Sequence, residues 1–412
     1  MAGHVGPEAA LAAGLRNAPA GRLGVAVSGG SDSVALMHLL AASGREIAVA
    51  TVDHGLRAEA AEEAKGVAAA ARALGLTCDI LEWRGWDGAG NVQDAARAAR
   101  RRLLGAWAAA QGLAGVALGH TLDDQAETFL MRLARGSGVD GLAAMQTVSR
   151  GEHVPWLRPL LKARRSDLRD WLTAQGIGWV EDPSNDDQRF DRVRLRKAMP
   201  LLEDLGLWPE RLAATADRMA MARTALEALA AEAAGDVLRP DPLGYMTIQP
   251  EALATLAEET RLRLLAAALN WVGGTIYRPR IAALREFLQG LREPGFAGRT
   301  LHGVVAEPLG ETVILVREPD KAGGPVIAGK VWDGRWRTNG PDGTEVRALG
   351  ADGLAQLGDW RALGHPRTAL LTVPGIFRDA ELIAAPFAKE AKECDCVLVL
   401  GPAAFFQRLA GR

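Results

Sequence analysis

The chain is 412 residues long, with hydrophobic residues at 48%, charged residues at 24%, and 48 Lys and Arg against 50 Asp and Glu for a net charge of −2. That composition excludes a disordered or fibrous chain, and the length, beyond the roughly 100–200 residues of one domain, predicts two or three domains with cores of their own. Three cysteines, Cys78, Cys394 and Cys396, cannot build a disulfide framework, and no apolar run reaches the roughly 18 residues that span a bilayer, so the expected compartment is the cytoplasm, away from membranes.

Residues 22–27 form a short apolar segment that runs into SGGSDS at 28–33 and then into VALMHLLAASG, where Val34, Met37 and Leu40 recur at helical spacing. The pattern predicts strand, glycine loop, helix. EIAVATVD at 46–53 predicts a second strand, followed by an alanine-rich helix over 58–74 that stops near Gly75. LTCDILEW and the stretch from Asn91 to Gln111 repeat the unit. GVALGH at 115–120 is the fourth strand, and Leu122, Ala126, Phe129 or Leu130, and Leu133 mark the apolar face of the helix after it.

Apolar strands alternating with helices indicate βαβ units around a parallel sheet, and such sheets bind ligands beyond the carboxyl ends of their strands. Three polar clusters fall at those ends: 28–33, 53–57 and 120–127. Their common placement predicts one composite site. Beyond Pro183 the segment RFDRVRLRKAMP is basic, with Arg189, Arg192, Arg194, Arg196 and Lys197 against Asp191. A near-neutral chain still accommodates such a local patch, and its density points to nucleic acid. Helical repeats then run to about Gly290, and β-like runs such as TVILVRE return from about Leu301. These shifts predict domains over 1–213, 214–321 and 322–412, the second helical and the third a small α+β domain.

SGGSDS sets two glycines and three hydroxyls between a strand and a helix, where backbone can approach a ligand closely and helix-start N–H groups can cradle phosphate. Asp32 would repel that phosphate unless a cation or an arginine intervened, with Mg²⁺ the sensible third party. The loop matches neither GxxxxGK[ST] nor GxGxxG. In HTLDDQAET, residues 120–128, Asp124 and Glu127 stand at i,i+3 and Asp123 and Glu127 at i,i+4. Like charges on neighbouring turns are unfavourable unless a cation offsets them. Arg97 and Arg100 share the same helical spacing and can reach one phosphate from successive turns. Cys394 and Cys396 form CxC with no histidine nearby, which reads as structural or incidental thiols.

With these residues in hand, the chain resembles the bacterial tRNA(Ile)-lysidine synthetases, members of the N-type ATP pyrophosphatase, or PP-loop, superfamily. SGGSDS resembles the superfamily's pyrophosphate loop; VDHGLR at 52–57, HTLDDQAET at 120–128, RGSGVDGL at 135–142 and EDPSNDD at 181–187 resemble the lysidine branch. The resemblance is firm over about 20–215. It implies an adenine nucleotide alpha hydrolase-like catalytic domain followed by a helical and a small C-terminal domain that both hold tRNA. WDGRWR at 332–337 resembles a variant opening of the last of these.

The implied reaction adenylates the C2 oxygen of the wobble cytidine of a CAU-anticodon tRNA(Ile) with ATP; free L-lysine then displaces AMP to give lysidine. The resemblance implies that Ser28, Gly29, Gly30, Ser31, Ser33 and Asp53 contact ATP, with His120 beside the nucleotide. It gives Asp32 the Mg²⁺ and pyrophosphate, Arg97 and Arg100 either the negative charge of the adenylated state or the anticodon backbone, and Asp124 and Glu127 the lysine ammonium. Arg192, Arg194, Arg196 and Lys197 would contact tRNA. A homodimer is compatible with the sequence. Asn91, Val92 and Gln93, Arg101, Phe190 and Val193 depart from the family pattern, and Val193 replaces an amide-bearing asparagine.

Overall fold

In the first part of the computed structural model the chain runs α1 (Pro7–Gly14), β1 (Leu23–Ala26), α2 (Ser31–Ala42), β2 (Ile47–Asp53), α3 (Ala60–Ala73), β3 (Cys78–Glu82), α4 (Val92–Ala110), β4 (Val116–Leu118) and α5 (Leu122–Ala134). It continues through α6 (Val139–Leu142), β5 (Val148–Ser149), β6 (Trp156–Leu157), α7 (Arg165–Ala174), α8 (Asp191–Asp204) and α9 (Pro209–Val237). The structure describes residues 5–55, 59–84, 92–181, 191–275, 277–385, 387–389 and 392–410. Most of EDPSNDD and the last two residues of VDHGLR lie outside them, as do Asn91, Arg189 and Phe190.

The six strands lie in the order β3-β2-β1-β4-β6-β5, parallel except for β5. Strand alternation divides the core into two layers. Leu23, Val25, Ile47 and Val49 pack with Leu36, Met37 and Leu40 of α2 and Leu168 and Leu172 of α7. Ala26, Ala48 and Ala50 face the other way, onto Leu104 and Trp107 of α4. Helices on both faces leave the carboxyl ends of β1, β2 and β4 as the place for function.

Contact between residues divides the chain into Met1–Arg223 and Thr224–Arg412, and the division falls within α9. The second unit continues with β7 (Leu238–Pro240), β8 (Met246–Ile248), α10 (Pro250–Thr255), α11 (Glu258–Gly273), α12 (Ile281–Gly290), β9 (Arg299–Leu301), β10 (Val304–Leu309) and β11 (Thr312–Arg317). The stretch expected to be helical therefore also carries an antiparallel sheet, ordered β7-β8-β11-β10-β9. Leu264, Leu265 and Leu269 of α11 pack against Met246, Ile248, Val304 and Leu315 of that sheet. After it come β12 (Val326–Ile327), β13 (Val331–Trp332), β14 (Trp336–Asn339), β15 (Glu345–Ala348), α13 (Gly350–Ala355), α14 (Arg367–Leu371), β16 (Pro374–Arg378), β17 (Glu381–Ala384), β18 (Asp395–Leu398) and α15 (Pro402–Leu409). WDGRWR folds as the β13–β14 hairpin with Trp332 and Trp336 buried, and Cys394 and Cys396 are half-buried thiols packed beside them. Among the described residues no helix is long and apolar enough to cross a membrane.

Candidate active site

The loop after β1 turns on Gly29, whose φ of +88° lies in the left-handed region that side chains disfavour. Its carbonyl accepts the Val180 N–H at 2.9 Å, which ties the loop to the segment after α7. Ser33 braces the turn from inside: its hydroxyl donates to the Gly30 carbonyl at 2.9 Å and accepts the Ser28 N–H at 3.1 Å. Gly30 is the N-cap of α2 and offers no side chain to it, so the first N–H groups of the helix remain available to an anion. At the end of β4, Gly119 packs so closely on α2 that a Cβ would lie 2.8 Å from the Asp32 carbonyl oxygen.

Helix α5 begins with a capping box in which Asp124 Oδ2 accepts both the N–H of Thr121, at 2.9 Å, and its hydroxyl, at 3.0 Å. One turn later, Glu127 is 2% exposed. The cation needed to hold these acids together comes from a residue that periodicity does not single out. Arg165, the first residue of α7, places Nε 2.8 Å from Asp32 Oδ2, Nη2 3.0 Å from Asp124 Oδ1 and Nη1 3.6 Å from Glu127 Oε1. Its own N–H donates to Asp123 Oδ2 at 2.7 Å, and the Leu122 N–H donates to the Ala163 carbonyl, so the starts of α5 and α7 are clamped together. Arg196 of α8 adds a second cation, 2.7 Å from Glu127 Oε1.

Burial raises the Asp32 and Glu127 carboxyls above their ordinary values despite these arginines. Burial acts on Asp124 in the same direction, but Arg165, His120 and the Thr121 N–H outweigh it and hold that carboxyl low. Burial pushes His120 down to about 4, so its imidazole is neutral near pH 7.

Asp32, His120, Asp124, Arg165 and Arg196 open on a cavity of about 1070 Å³. Ser28, Gly30, Ser31, Asp32 and Ser33 form one side of its wall, His120 and Asp124 another, and Arg97, Arg100 and Arg101 of α4 a third. Arg158, Arg165, Arg169, Arg196 and Lys197 complete it, and among the described residues eight lining side chains are Arg or Lys against four Asp or Glu. That balance suits a polyanion. Val193, also in the lining, contributes an apolar surface where the family pattern has an amide.

Several expected contacts are placed elsewhere. Asp53 is absent from the lining, and its carboxylate accepts the Gly55 N–H at 2.9 Å. Glu127 and Arg192 also lie outside the lining. Arg194 is exposed and pairs with Asp191, and Arg196 binds Glu127 before any nucleic acid. Among the described residues no group of three or more His, Cys, Asp and Glu could hold a metal ion. Asp32 alone still suits Mg²⁺, which commonly takes one protein carboxylate and completes its shell with phosphate and water. Sequence reading missed Arg158, Arg165 and Arg169; the Arg164–Arg165 doublet ahead of the SDLRDWL helix was the available signal.

The PP-loop domain family matches residues 7–202. A tRNA(Ile)-lysidine synthase of Ruegeria pomeroyi is 46% identical over 399 residues, covering 95% of this chain and 94% of the relative. Those of Methylobacterium nodulans and a Bradyrhizobium species are 44% and 41% identical, each covering 74% of this chain and 93% and 92% of the relative. With an ATP-binding PP-loop fold and ligase relatives matched over nearly their whole length, the chain belongs to the tRNA(Ile)-lysidine synthase family.

Proposed function

We propose that the protein ligates L-lysine to C2 of the wobble cytidine of a CAU-anticodon tRNA(Ile) in two steps within this cavity. In the first, the cytidine C2 oxygen attacks the α-phosphorus of ATP and pyrophosphate leaves. In the second, the lysine ε-amine forms a bond to C2 and AMP departs with the former C2 oxygen. Activation is required because that oxygen is otherwise a poor leaving group.

The open N–H groups at the start of α2, with Ser28 and Ser31, hold phosphate oxygens, while Ser33 keeps the loop in shape. Asp32 would hold Mg²⁺, which when bound neutralises the phosphates and assists pyrophosphate departure. Arg97 and Arg100 face the charge that remains on the adenylated base. Neutral His120 lies beside the nucleotide as a hydrogen-bonding group. Lys197 and Arg194 offer exposed charge to the RNA backbone. Arg196 turns from Glu127 to a phosphate as the RNA arrives and yields that carboxylate to lysine.

The acid pair divides the work on lysine. Asp124, kept a carboxylate first by Arg165 and further by the Thr121 N–H, holds the ammonium. Glu127, whose carboxyl burial has made more basic, accepts the proton that the amine loses before attack.

What carries this reading is that the glycine loop and Asp124 line a single cavity, so a triphosphate and an amine can meet at one base. Radiolabelled L-lysine, ATP, Mg²⁺ and purified tRNA, followed by nucleoside digestion, tests it. Label is expected at C34 alone. Label on another nucleoside, or a requirement for a different amine, rejects the assignment.

A further inference from the structure

The acid pair poses a chemical problem that the arginines answer. Carboxylates that bind an ammonium also stabilise its protonated form. At an ordinary pKa of about 10.4, only roughly one lysine amine in 2,500 is free at pH 7, and two unopposed carboxylates make that fraction smaller. A site built of acids alone would bind lysine well and use it poorly.

We propose that Arg165 is a positioning residue for lysine transfer: its guanidinium, shared among Asp32, Asp124 and Glu127, limits how firmly the acid pair holds the ε-ammonium and so lets the amine release its proton to Glu127 and attack. This rests on the lysine reading given above. Arg165 reaches all three carboxylates at 2.8, 3.0 and 3.6 Å and is only 20% exposed, so solvent screens its charge little. Its main chain is fixed by Asp123, which keeps the guanidinium between the nucleotide loop and α5. A lysine side chain would reach these acids as a point charge, whereas the planar fork offers separate donors to separate carboxylates.

The charged groups around the incoming amine fix the sign. Asp32 from α2, Asp124 and Glu127 from α5 supply negative charge; Arg165 from α7, with Arg192 and Arg196 from α8, supplies positive charge. His120 at the end of β4 is neutral near pH 7. With Arg196 drawn to the RNA, Arg165 remains in direct contact with both acids. Its loss leaves the ammonium facing more uncompensated negative charge, so lysine binds more tightly and reacts more slowly. A role confined to holding the fold would weaken both.

The test forms adenylated tRNA first, adds lysine, and follows transfer in a single turnover across pH, normalised to the adenylated fraction. For Arg165→Gln we expect a lower half-saturating lysine concentration, a maximal transfer rate at neutral pH down at least tenfold, and an acid limb about one pH unit or more higher. S-(2-aminoethyl)-L-cysteine, a lysine analogue with a less basic amine, should recover part of the lost rate relative to lysine. Arg165→Lys, which keeps the charge, should keep the wild-type limb. A limb and analogue-to-lysine ratio equal to wild type in Arg165→Gln overturn the inference. If that variant does not fold, Glu127→Gln reads the same balance from the other side. Its residual transfer should show a limb moved to lower pH, and an unmoved or raised limb overturns the proposal. Wild-type protein that places no lysine on tRNA would instead overturn the functional reading itself.

Discussion

Arg196 Nε lies 2.7 Å from Glu127 Oε1, so a residue whose sequence context points to RNA is held by a buried acid of the candidate site. Glu127 is 2% exposed and Arg196 32%, which makes the acid the partner that suffers if the pair is broken. Arg196→Ala should cost about 1.5–3 kcal/mol in urea unfolding, within the range for hydrogen bonds to charged groups. A change smaller than 0.5 kcal/mol, on the order of a neutral surface substitution, would mean that Arg165 alone satisfies Glu127.

Lys197 is the contrasting case, exposed on the cavity wall and, among the described residues, in no ion pair. Lys197→Ala should leave stability within about 0.5 kcal/mol of wild type and weaken tRNA binding. The slope of log K against log salt should flatten by about 0.7–0.9 for one lost phosphate contact. An unchanged slope would remove Lys197 from the RNA interface.

Gly119 has no freedom to gain a side chain. The atoms that a Cβ would meet are the Asp32 carbonyl oxygen at 2.8 Å, the Asp32 carbonyl carbon at 2.9 Å and Ser33 Cα at 3.0 Å, all main chain. Gly119→Ala must therefore push the start of α2 away from β4. We expect a stability loss of about 1–3 kcal/mol and a fall of about a hundredfold in pyrophosphate release, since small misplacements of reacting groups are costly. Folded Gly119→Ala protein with wild-type pyrophosphate release would separate the helix start from the nucleotide step.

The strands and helices around β1, β2 and β4 were legible because each is a short apolar run or a periodic helix bounded by glycine. Ile47–Asp53 and Ala60–Ala73 fall inside the ranges read from sequence. The five-stranded sheet of the second unit was legible only in part: TVILVRE showed β11, whereas β7, β8 and β9 are three residues long, too short for a period to register. The glycine loop and acidic helix could be seen as clusters of residues adjacent in sequence. Arg165 could not, because its partners stand 133 and 41 positions away and only folding brings them within 3.0 Å. The same distance explains Arg196: a charge run shows its cations but not the buried acid, 69 residues earlier, that one of them meets.

The proposed division of labour between Asp32 and Glu127 predicts that variants will separate the two half reactions. Asp32→Asn should abolish most pyrophosphate release while tRNA binding stays largely intact, and normal turnover would remove Asp32 from the phosphate and Mg²⁺ role. Glu127→Gln should slow lysine transfer more than adenylation, because the amide can accept a hydrogen bond but not act as the proton acceptor. Equal loss in both half reactions would refute separate roles for the loop and the acid pair.

His120 offers a reading of the site in the absence of substrate. Burial, with Arg158, Arg192 and Arg100 acting in the same sense, outweighs the pull of Asp124 and lowers the imidazole from an ordinary 6.5 to about 4. Between those values the unfolded chain binds a proton at this position and the folded chain does not, so stability rises with pH. The contribution is fully present above about 6.5 and is lost as pH falls toward 4, a span worth roughly 3 kcal/mol. Asp32 and Glu127, whose carboxyls are raised, act in the opposite sense as pH falls, so the comparison must be made against His120→Gln under the same conditions. The difference in unfolding free energy between the two proteins should narrow or reverse in favour of the variant as pH drops from 6.5 to 4.5. NMR titration of the His120 ring should give a midpoint near 4, and a midpoint at or above the ordinary value would mean that burial does not govern the charge of this imidazole.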